Sequence, residues 1–125
     1  MPYIAHDVEH RKSSSLVGTG QCVALVQAWA GAPTTGLWIQ GIAVKGNDRV
    51  ITKGTVIATF DHGHYVNHGG QSHAAIYLSQ NQFGIRVIDQ WNNKHGAHPP
   101  AERTIAFRGG HGSPSDDGDA FYVVE

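Results

Sequence analysis

The sequence has one cysteine, few charged residues and no long hydrophobic run, and each shortage excludes a class of protein. A single cysteine among 125 residues cannot form an internal disulfide. Charged residues make up 15% of the chain, and nine Lys and Arg against ten Asp and Glu leave it nearly neutral. We therefore expect neither nucleic acid nor an anionic lipid surface as the main partner. No apolar stretch approaches the length of a membrane span, so no membrane insertion is expected.

The first residues also lack a secretory signal, because they carry neither a basic region nor an apolar stretch. We expect the protein to be made in the cytoplasm and, if it acts elsewhere, to leave by a route other than general secretion. The length and the 40% apolar content suffice for one globular domain over residues 1–125, without disulfides or metal. No cofactor is expected.

The clearest helix is predicted over residues 21–30, because side chains that favour burial recur there with helical spacing. That face consists of Cys22, Leu25, Val26 and Trp29. Thr19 is the predicted N-cap, Gly31 the residue that ends the helix, and Pro33 prevents its continuation. The helix should therefore bury the face that carries the cysteine.

Beyond the helix, β-branched and aromatic runs alternate with polar turns. Five strands are predicted, over residues 55–60, 73–78, 84–89, 103–107 and 120–124. Residues 61–72, 92–102 and 108–119 are predicted loops, residues 1–19 an irregular arm, and residues 34–46 either a short helix or a covering loop. One helix followed by a run of neighbouring strands predicts an α+β fold, with the helix packed on an antiparallel sheet of about five strands.

Cys22 follows the glycine-rich stretch Gly18-Thr19-Gly20-Gln21, at the predicted start of the helix. A helix start presents unpaired backbone N–H groups and the positive end of the helix dipole, and both favour thiolate over thiol. A cysteine in this position can act as a nucleophile if a base lies nearby. The alternative is a small buried apolar residue without reactivity.

His73 and Asp89 are the predicted base and its orienting carboxylate. If the turn between their two strands is centred near Asn81, the two residues lie directly opposite each other, with Cβ atoms roughly 5 Å apart. The carboxylate would then fix the imidazole tautomer. Cys22 completes the set if its helix packs on the face that carries His73. Each residue also has a purely structural alternative, a hydrogen-bonded strand histidine and a turn-capping aspartate.

The motif Gly20-Gln21-Cys22-Val23 at a helix start, followed by residues 72–77 (SHAAIY) on a strand, resembles the CHAP and NlpC/P60 families. These are papain-like cysteine amidases and endopeptidases that cut peptidoglycan peptides. The resemblance covers about residues 17 to 92 and implies a catalytic order of Cys22, His73 and Asp89. It also implies a papain-like fold.

Within that superfamily the chain is most similar to the type VI secretion amidase effectors, and the closest likeness is to their third family. This resemblance implies cleavage of the cross-link between diaminopimelate and D-alanine, with the D-glutamate–diaminopimelate bond as the alternative. It also implies delivery by the secretion machinery into the periplasm of a target bacterium, and an immunity protein that occludes the cleft. A phage or housekeeping hydrolase of the same fold is the alternative within this class.

Several residues are predicted to support the reaction. The backbone N–H of Cys22 is a natural oxyanion donor, and the Gln21 side chain either adds to that hole or bonds a neighbouring loop. Substrate contacts are expected from Tyr65, His64 and Trp91. The carboxylates of the substrate make Arg86, Arg103 and Lys94 further candidates, each of which can equally be a solvated charge.

Two rival functions belong to other classes. The first is a metal-binding module built on the cluster His62, His64 and His68, although this spacing matches no common zinc signature. The second is a binding domain that keeps the papain-like shape without catalysis. No metal site is predicted on balance.

Overall fold

A computed structural model describes residues 1–11, 15–66 and 71–125. Within these ranges it has one α-helix and six β-strands. They are α1 (Cys22–Ala30), β1 (Gln40–Ala43), β2 (Val56–Thr59), β3 (Ala74–Gln80), β4 (Gly84–Asn93), β5 (Gly96–Ala106) and β6 (Phe121–Val124). The strands form one antiparallel sheet in the order β1-β6-β2-β3-β4-β5. The predicted α+β class and the antiparallel sheet are confirmed, with six strands instead of about five.

The helix α1 begins one residue later than predicted. Gln21 is its N-cap, in an extended conformation with φ −79° and ψ 156°, and its side chain makes no capping bond. The predicted N-cap, Thr19, is wrong: its hydroxyl accepts a hydrogen bond from the backbone of Gln21 at 3.4 Å. Gly31 ends the helix as predicted, with φ 69° in the left-handed region.

The strand β1 was missed because residues 34–46 have two glycines and no strand-like alternation. The structure forms a single 3₁₀ turn at Thr35–Leu37 and then β1 at the edge of the sheet, paired only with β6 among the described strands. A four-residue edge strand has one hydrogen-bonded neighbour and little burial, so it leaves a weak trace in the sequence.

The predicted loop over residues 92–102 is also wrong. β4 continues to Asn93 and β5 begins at Gly96, so the two strands form a long hairpin. Pro99 and Pro100 indicated a loop, but they lie on an edge strand at a bulge, where together they oppose Gln90. Proline is tolerated in such positions because no inner ladder hydrogen bond is lost.

The sheet is covered on both faces. On one face Val26 of α1 packs against strand residues in a first cluster, with Val56, Ala74, Ile76 and Ile88. The alternate strand residues point to the other face, where they form a second cluster with residues outside the strands. This second cluster includes Val44, Ile57, Ala75, Val87, Ile105 and Phe121. Burial on alternate sides along each strand fixes the register of the sheet. No helix in the described ranges is long and apolar enough to cross a membrane.

We expect the second cluster to contribute as much to stability as an ordinary protein core. Ile57 is fully buried in it, so Ile57→Ala should lower the free energy of unfolding by about 2–5 kcal/mol. Ile42 on β1 is 47% exposed, and Ile42→Ala should change that free energy by no more than about 0.5 kcal/mol. Denaturant titration of the two variants measures the difference, and equal midpoints would contradict a packed second face.

Candidate active site

Cys22 is the first residue of α1, and its half-buried thiol lies among three hydrogen-bonding groups. These are the ring of His73, the backbone N–H of Ala74 and the hydroxyl of Tyr65. The Tyr65 oxygen lies 3.7 Å from Sγ. The structure therefore brings the predicted nucleophile and the predicted base into contact.

His73 directly precedes β3 and is held there by Thr59 on β2. The backbone N–H of His73 donates to the Thr59 hydroxyl at 3.1 Å, and the Thr59 N–H donates to the His73 carbonyl at 3.0 Å. The side chain is almost fully enclosed, since the residue is only 6% exposed. Its Nε2 donates to Asp89 Oδ2 at 2.7 Å, which leaves Nδ1 for the thiol.

Asp89 is a fully buried carboxylate on β4 with two cationic neighbours. Besides His73, the guanidinium of Arg103 donates from Nε to the same oxygen at 2.7 Å. His98 lies on the other side, with Nε2 3.4 Å from Oδ1. Asp89 thus connects Arg103 to His73, and His73 in turn contacts the cysteine.

The pairing of His73 with Asp89 has a different register from the predicted one. Ile76 pairs with Ile88, so the register runs two residues away from the predicted one and Asp89 falls level with Ala75. His73 and Asp89 are therefore diagonal neighbours instead of directly opposed residues. An error of two residues keeps both side chains on the same face, so their contact survives it.

The sequence predicted a contact between Cys22 and His73 if the helix packed on the face of the sheet that carries His73, but the helix packs on the opposite face. α1 covers the face of Ile76 and Ile88, while His73 follows the alternation of Ala75 on the other face and lies 6.4 Å from the Phe121 ring. The thiol still meets the imidazole because His73 stands at the end of β3, beside the first turn of α1.

The electrostatics of the site favour a thiolate–imidazolium pair. Burial alone would lower the pKa of His73, but hydrogen bonds to Asp89 and Cys22, together with their negative charges, raise this pKa to about 9. Burial would raise the pKa of Cys22, but the hydrogen bond and charge of His73 and the Ala74 N–H lower it below its ordinary value. Both shifts point to the same ionic state.

Asp89 supplies the negative charge that this state needs. Burial would raise the pKa of Asp89, but the hydrogen bond and charge of His73, followed by those of Arg103, lower it below its usual range. The carboxylate is therefore ionised and accepts from both cations.

Tyr65 belongs to the immediate surroundings of the thiol. Burial and the negative charge of Cys22 raise the pKa of its hydroxyl well above the ordinary value. The hydroxyl therefore keeps its proton and donates it toward sulfur, while its ring packs on Trp38 with centroids 4.9 Å apart. Sequence reasoning named Tyr65 only as a substrate contact.

The other predicted support residues are distributed around the site. The Gln21 side chain donates to the carbonyl of Asn92 at 2.9 Å, so it bonds the backbone of β4 where a bond to a loop was the predicted alternative. Trp91 lies 6.2 Å from the His73 ring and stacks on His98 at 3.9 Å. His64 is exposed in a tight turn.

Two of the three predicted cationic substrate contacts, Arg103 and Arg86, bond side chains within the protein. Arg103 bonds Asp89, and Arg86 bonds Glu102 at 3.2 Å and Thr104 at 3.1 Å. Lys94 is exposed at the tip of the β4–β5 hairpin.

His68, one member of the predicted metal-binding cluster, lies outside the described residues. Of the other two members, His62 pairs with Asp61 at 2.7 Å. Across residues 1–11, 15–66 and 71–125, no group of three or more His, Cys, Asp or Glu side chains is close enough to hold a metal ion.

Sequence reasoning missed three groups that shape the site. The Ala74 N–H is a backbone group, and the Thr59 hydroxyl accepts from the backbone N–H of His73, so neither contact leaves a recognisable motif in the sequence. Gln90 is fully buried next to Asp89 and bonds the segment before Cys22. The predicted strand ended at residue 89, so Gln90 was placed in the turn after it, whereas the structure continues β4 through Gln90.

The fold and this geometry define the papain-like α+β arrangement expected from the sequence, with a cysteine at a helix start and a histidine at the start of a strand. The chain belongs to the domesticated amidase effector 2 family, whose model matches residues 3–124.

Relatives of known name support the same assignment. The chain is 36% identical to a type VI secretion amidase effector 2 protein of Salmonella typhi, over the full length of both. It is 42% identical to domesticated amidase effector 2 of Ixodes scapularis, over 84% of this chain and 70% of that protein. A solved structure of a type 6 secretion amidase effector 2 (Tae2) matches with a TM-score of 0.87 and 34% identity, covering 98% of this chain and 94% of the other.

These comparisons confirm the resemblance to type VI amidase effectors and correct its detail. The sequence was assigned to the third effector family, whereas the matching family and relatives all carry the number 2. The motif Gly20-Gln21-Cys22-Val23, on which the assignment to the third family depended, therefore did not identify the family number.

The charge of Asp89 should control the ionisation of Cys22. Asp89→Asn weakens the imidazolium of His73, which in the parent persists until the pH rises through about 9. A weaker imidazolium stabilises the thiolate less, so the midpoint of the pH–rate curve for iodoacetamide alkylation should rise by about one unit or more. Because Cys22 is the sole cysteine, the alkylation rate reports on one site.

Asp48→Asn provides the matched control, since it removes an exposed carboxylate beyond the opposite end of β3. Its alkylation midpoint should equal that of the parent. If the Asp89 variant also kept the parental midpoint, the carboxylate would have no influence on the thiol.

Proposed function

We propose that this protein is a cysteine amidase that hydrolyses peptide bonds in the stem peptides of peptidoglycan. The proposal is supported by membership of an amidase effector family and by named relatives that are type VI amidase effectors. The observation that carries the cysteine mechanism is the contact of the lone thiol with a buried histidine that is itself bonded to Asp89 at 2.7 Å.

In the proposed reaction the Cys22 thiolate attacks the carbonyl carbon of the scissile peptide bond. The C–N bond then breaks, and His73 gives its proton to the leaving amine while a thioester forms. His73 next takes a proton from water, which attacks the thioester and releases the carboxylic acid product. Asp89 holds the imidazole ring in place and stabilises its protonated form throughout.

The oxyanion formed during attack needs hydrogen-bond donors. The backbone N–H of Cys22 belongs to the first helical residue, so no helical carbonyl uses it. The Tyr65 hydroxyl lies 3.7 Å from Sγ and can reach an oxygen bound next to the sulfur. Gln21 is the weaker candidate because its amide already bonds Asn92. Losing one such donor costs about 3 kcal/mol.

A cavity of about 370 Å³ is lined by Thr59, whose hydroxyl bonds the backbone of His73, and by Ser72, which precedes His73 in the chain; we propose that it receives part of the stem peptide. Its lining also includes Val66, the neighbour of Tyr65 in the chain. Phe60 and Pro114 provide apolar walls. A volume of this size lies in the usual range for small-ligand sites.

The proposed scissile bond is the cross-link between diaminopimelate and D-alanine, over the bond between D-glutamate and diaminopimelate. We further propose that the protein acts in the periplasm of a target bacterium after type VI secretion. A specific immunity protein would then protect the producing cell by occluding the cleft.

Cys22→Ala should abolish the release of muropeptides from purified sacculi, a fall of at least about a thousandfold, because the nucleophile is gone. His73→Ala should match it closely, since nucleophile and base act as a unit. Asp89→Asn should retain partial activity. Mass spectrometry of the digest measures all three and also identifies the bond: cross-link cleavage converts dimers into monomers with intact stems, whereas the alternative shortens the stems.

His111→Ala, which changes an exposed loop histidine, should digest sacculi like the parent. Circular dichroism verifies that each variant is folded. Release of the parental muropeptides by Cys22→Ala would overturn the mechanism.

Tyr65→Phe should lower kcat about a hundredfold, because it removes one hydroxyl donor at the reacting sulfur and carbonyl. The ring and its packing on Trp38 remain, so the fold should be unaffected. Tyr77→Phe is the matched control: its buried hydroxyl bonds Gln80 away from the site, and kcat should not change. Equal kcat values for the two variants would exclude Tyr65 from the chemistry.

A further inference from the structure

Gln90 is a fully buried amide that uses its side chain to hold the segment leading to Cys22. Its Oε1 accepts from the backbone N–H of Val17 at 2.9 Å, and its Nε2 donates to the Val17 carbonyl at 2.9 Å. The same Nε2 donates to the carbonyl of Gln21 at 2.8 Å. All these hydrogen bonds join β4 to residues more than 60 positions earlier in the chain.

The segment that Gln90 holds has little structure of its own. Gly20 closes a turn by donating to the Val17 carbonyl at 2.9 Å, and its φ of +87° lies in the left-handed region. Gln21 makes no side-chain cap for α1. Contacts from outside the segment therefore help to place the helix start, and Gln90, which is itself fully buried, provides three of them.

A single stretch of β4 thus fixes both reacting groups. Asp89 bonds the base His73, while the next residue, Gln90, bonds the backbone immediately before the nucleophile. Asn92 adds a second tie through its carbonyl, which accepts from the Gln21 side chain at 2.9 Å. Since adjacent residues of one strand cannot move independently, β4 helps to set the distance between the sulfur and the imidazole.

We propose that Gln90 is a positioning residue for the nucleophile, which keeps the Cys22 thiol within reach of His73. This inference rests on the proposed function, because it assumes that Cys22 is the nucleophile. Gln90 touches neither the thiol nor the imidazole in the contacts described above, so it acts through the backbone of Gln21. A misplacement of about 1 Å at a reacting group can cost a hundredfold in rate.

A purely structural role would give a different result, because buried hydrogen bonds also stabilise folds. The chain contains a close match for comparison. Gln80, at the far end of β3, accepts from the Gly46 N–H at 3.0 Å and donates to the Val44 carbonyl at 2.8 Å and to Tyr77 at 3.2 Å. It joins a loop to a strand in the same way, about 20 Å along β3 from His73.

The test compares Gln90→Met with Gln80→Met in the full chain, since methionine keeps the side-chain length and removes all three hydrogen bonds. For Gln90→Met we expect kcat on sacculi to fall about ten- to a hundredfold with KM within about twofold of the parent. Alkylation of Cys22 by iodoacetamide at pH 6 should slow by a similar factor. Gln80→Met should lower the unfolding midpoint without changing either rate.

Three outcomes separate the possibilities. Slow alkylation and a low kcat in Gln90→Met alone support the positioning role. Parental rates in a folded Gln90→Met, with only a lowered unfolding midpoint, would overturn it while leaving the cysteine mechanism intact. Slow alkylation of the parent itself at pH 6 would instead contradict the proposed function.

A second variant covers the case in which Gln90→Met does not fold. Gln90→Glu keeps the bond to the Val17 N–H and is measured by the same alkylation assay. It must also react more slowly than the parent.

Discussion

The buried charge of Asp89 is the constraint on which the site depends. A carboxylate with no solvent exposure is costly unless cations and hydrogen bonds compensate it. Arg103 compensates permanently, since it never loses its proton, and His73 does so only when protonated. A protonated imidazole next to Cys22 in turn favours the thiolate. The ionic state of the Cys22 thiol therefore depends on a carboxylate that does not touch it.

The strand β4 that carries the charge of Asp89 also carries Gln90, which holds the segment before Cys22 in position. Asp89 and Gln90 point to opposite sides of β4, as neighbouring residues of a strand do, so one reaches His73 and the other reaches the segment before α1. The long β4–β5 hairpin supports this stretch, because the bulge at Pro99 and Pro100 lies directly across from Gln90. The groups that hold His73 and the segment before Cys22 therefore lie on the sheet, while Cys22 itself lies on a helix that is hydrogen-bonded to that sheet.

Much of this could be predicted from the sequence, and the failures have physical reasons. The helix and the strand β3 were predictable because their residues show local periodicity. The pairing of His73 with Asp89 was predictable because a register error of two residues leaves both side chains on the same face of the sheet. The hairpin and β1 were missed because prolines and glycines at sheet edges look like loop residues. The contacts of Gln90 and Tyr65 with the cysteine region were out of reach, since they join residues distant in sequence through folding alone.

The ionic pair also limits how such a site can be controlled. His73 keeps its proton up to a pH of about 9, and the pKa of Cys22 is lowered below its ordinary value, so the pair forms without a substrate. A modest change of pH around neutrality would therefore leave the imidazole of His73 protonated. If Cys22 is the nucleophile, as proposed, control of the site therefore depends on access of substrate to the thiol and not on the protonation of His73. The immunity protein of the proposed function would act at this step, by covering the cleft.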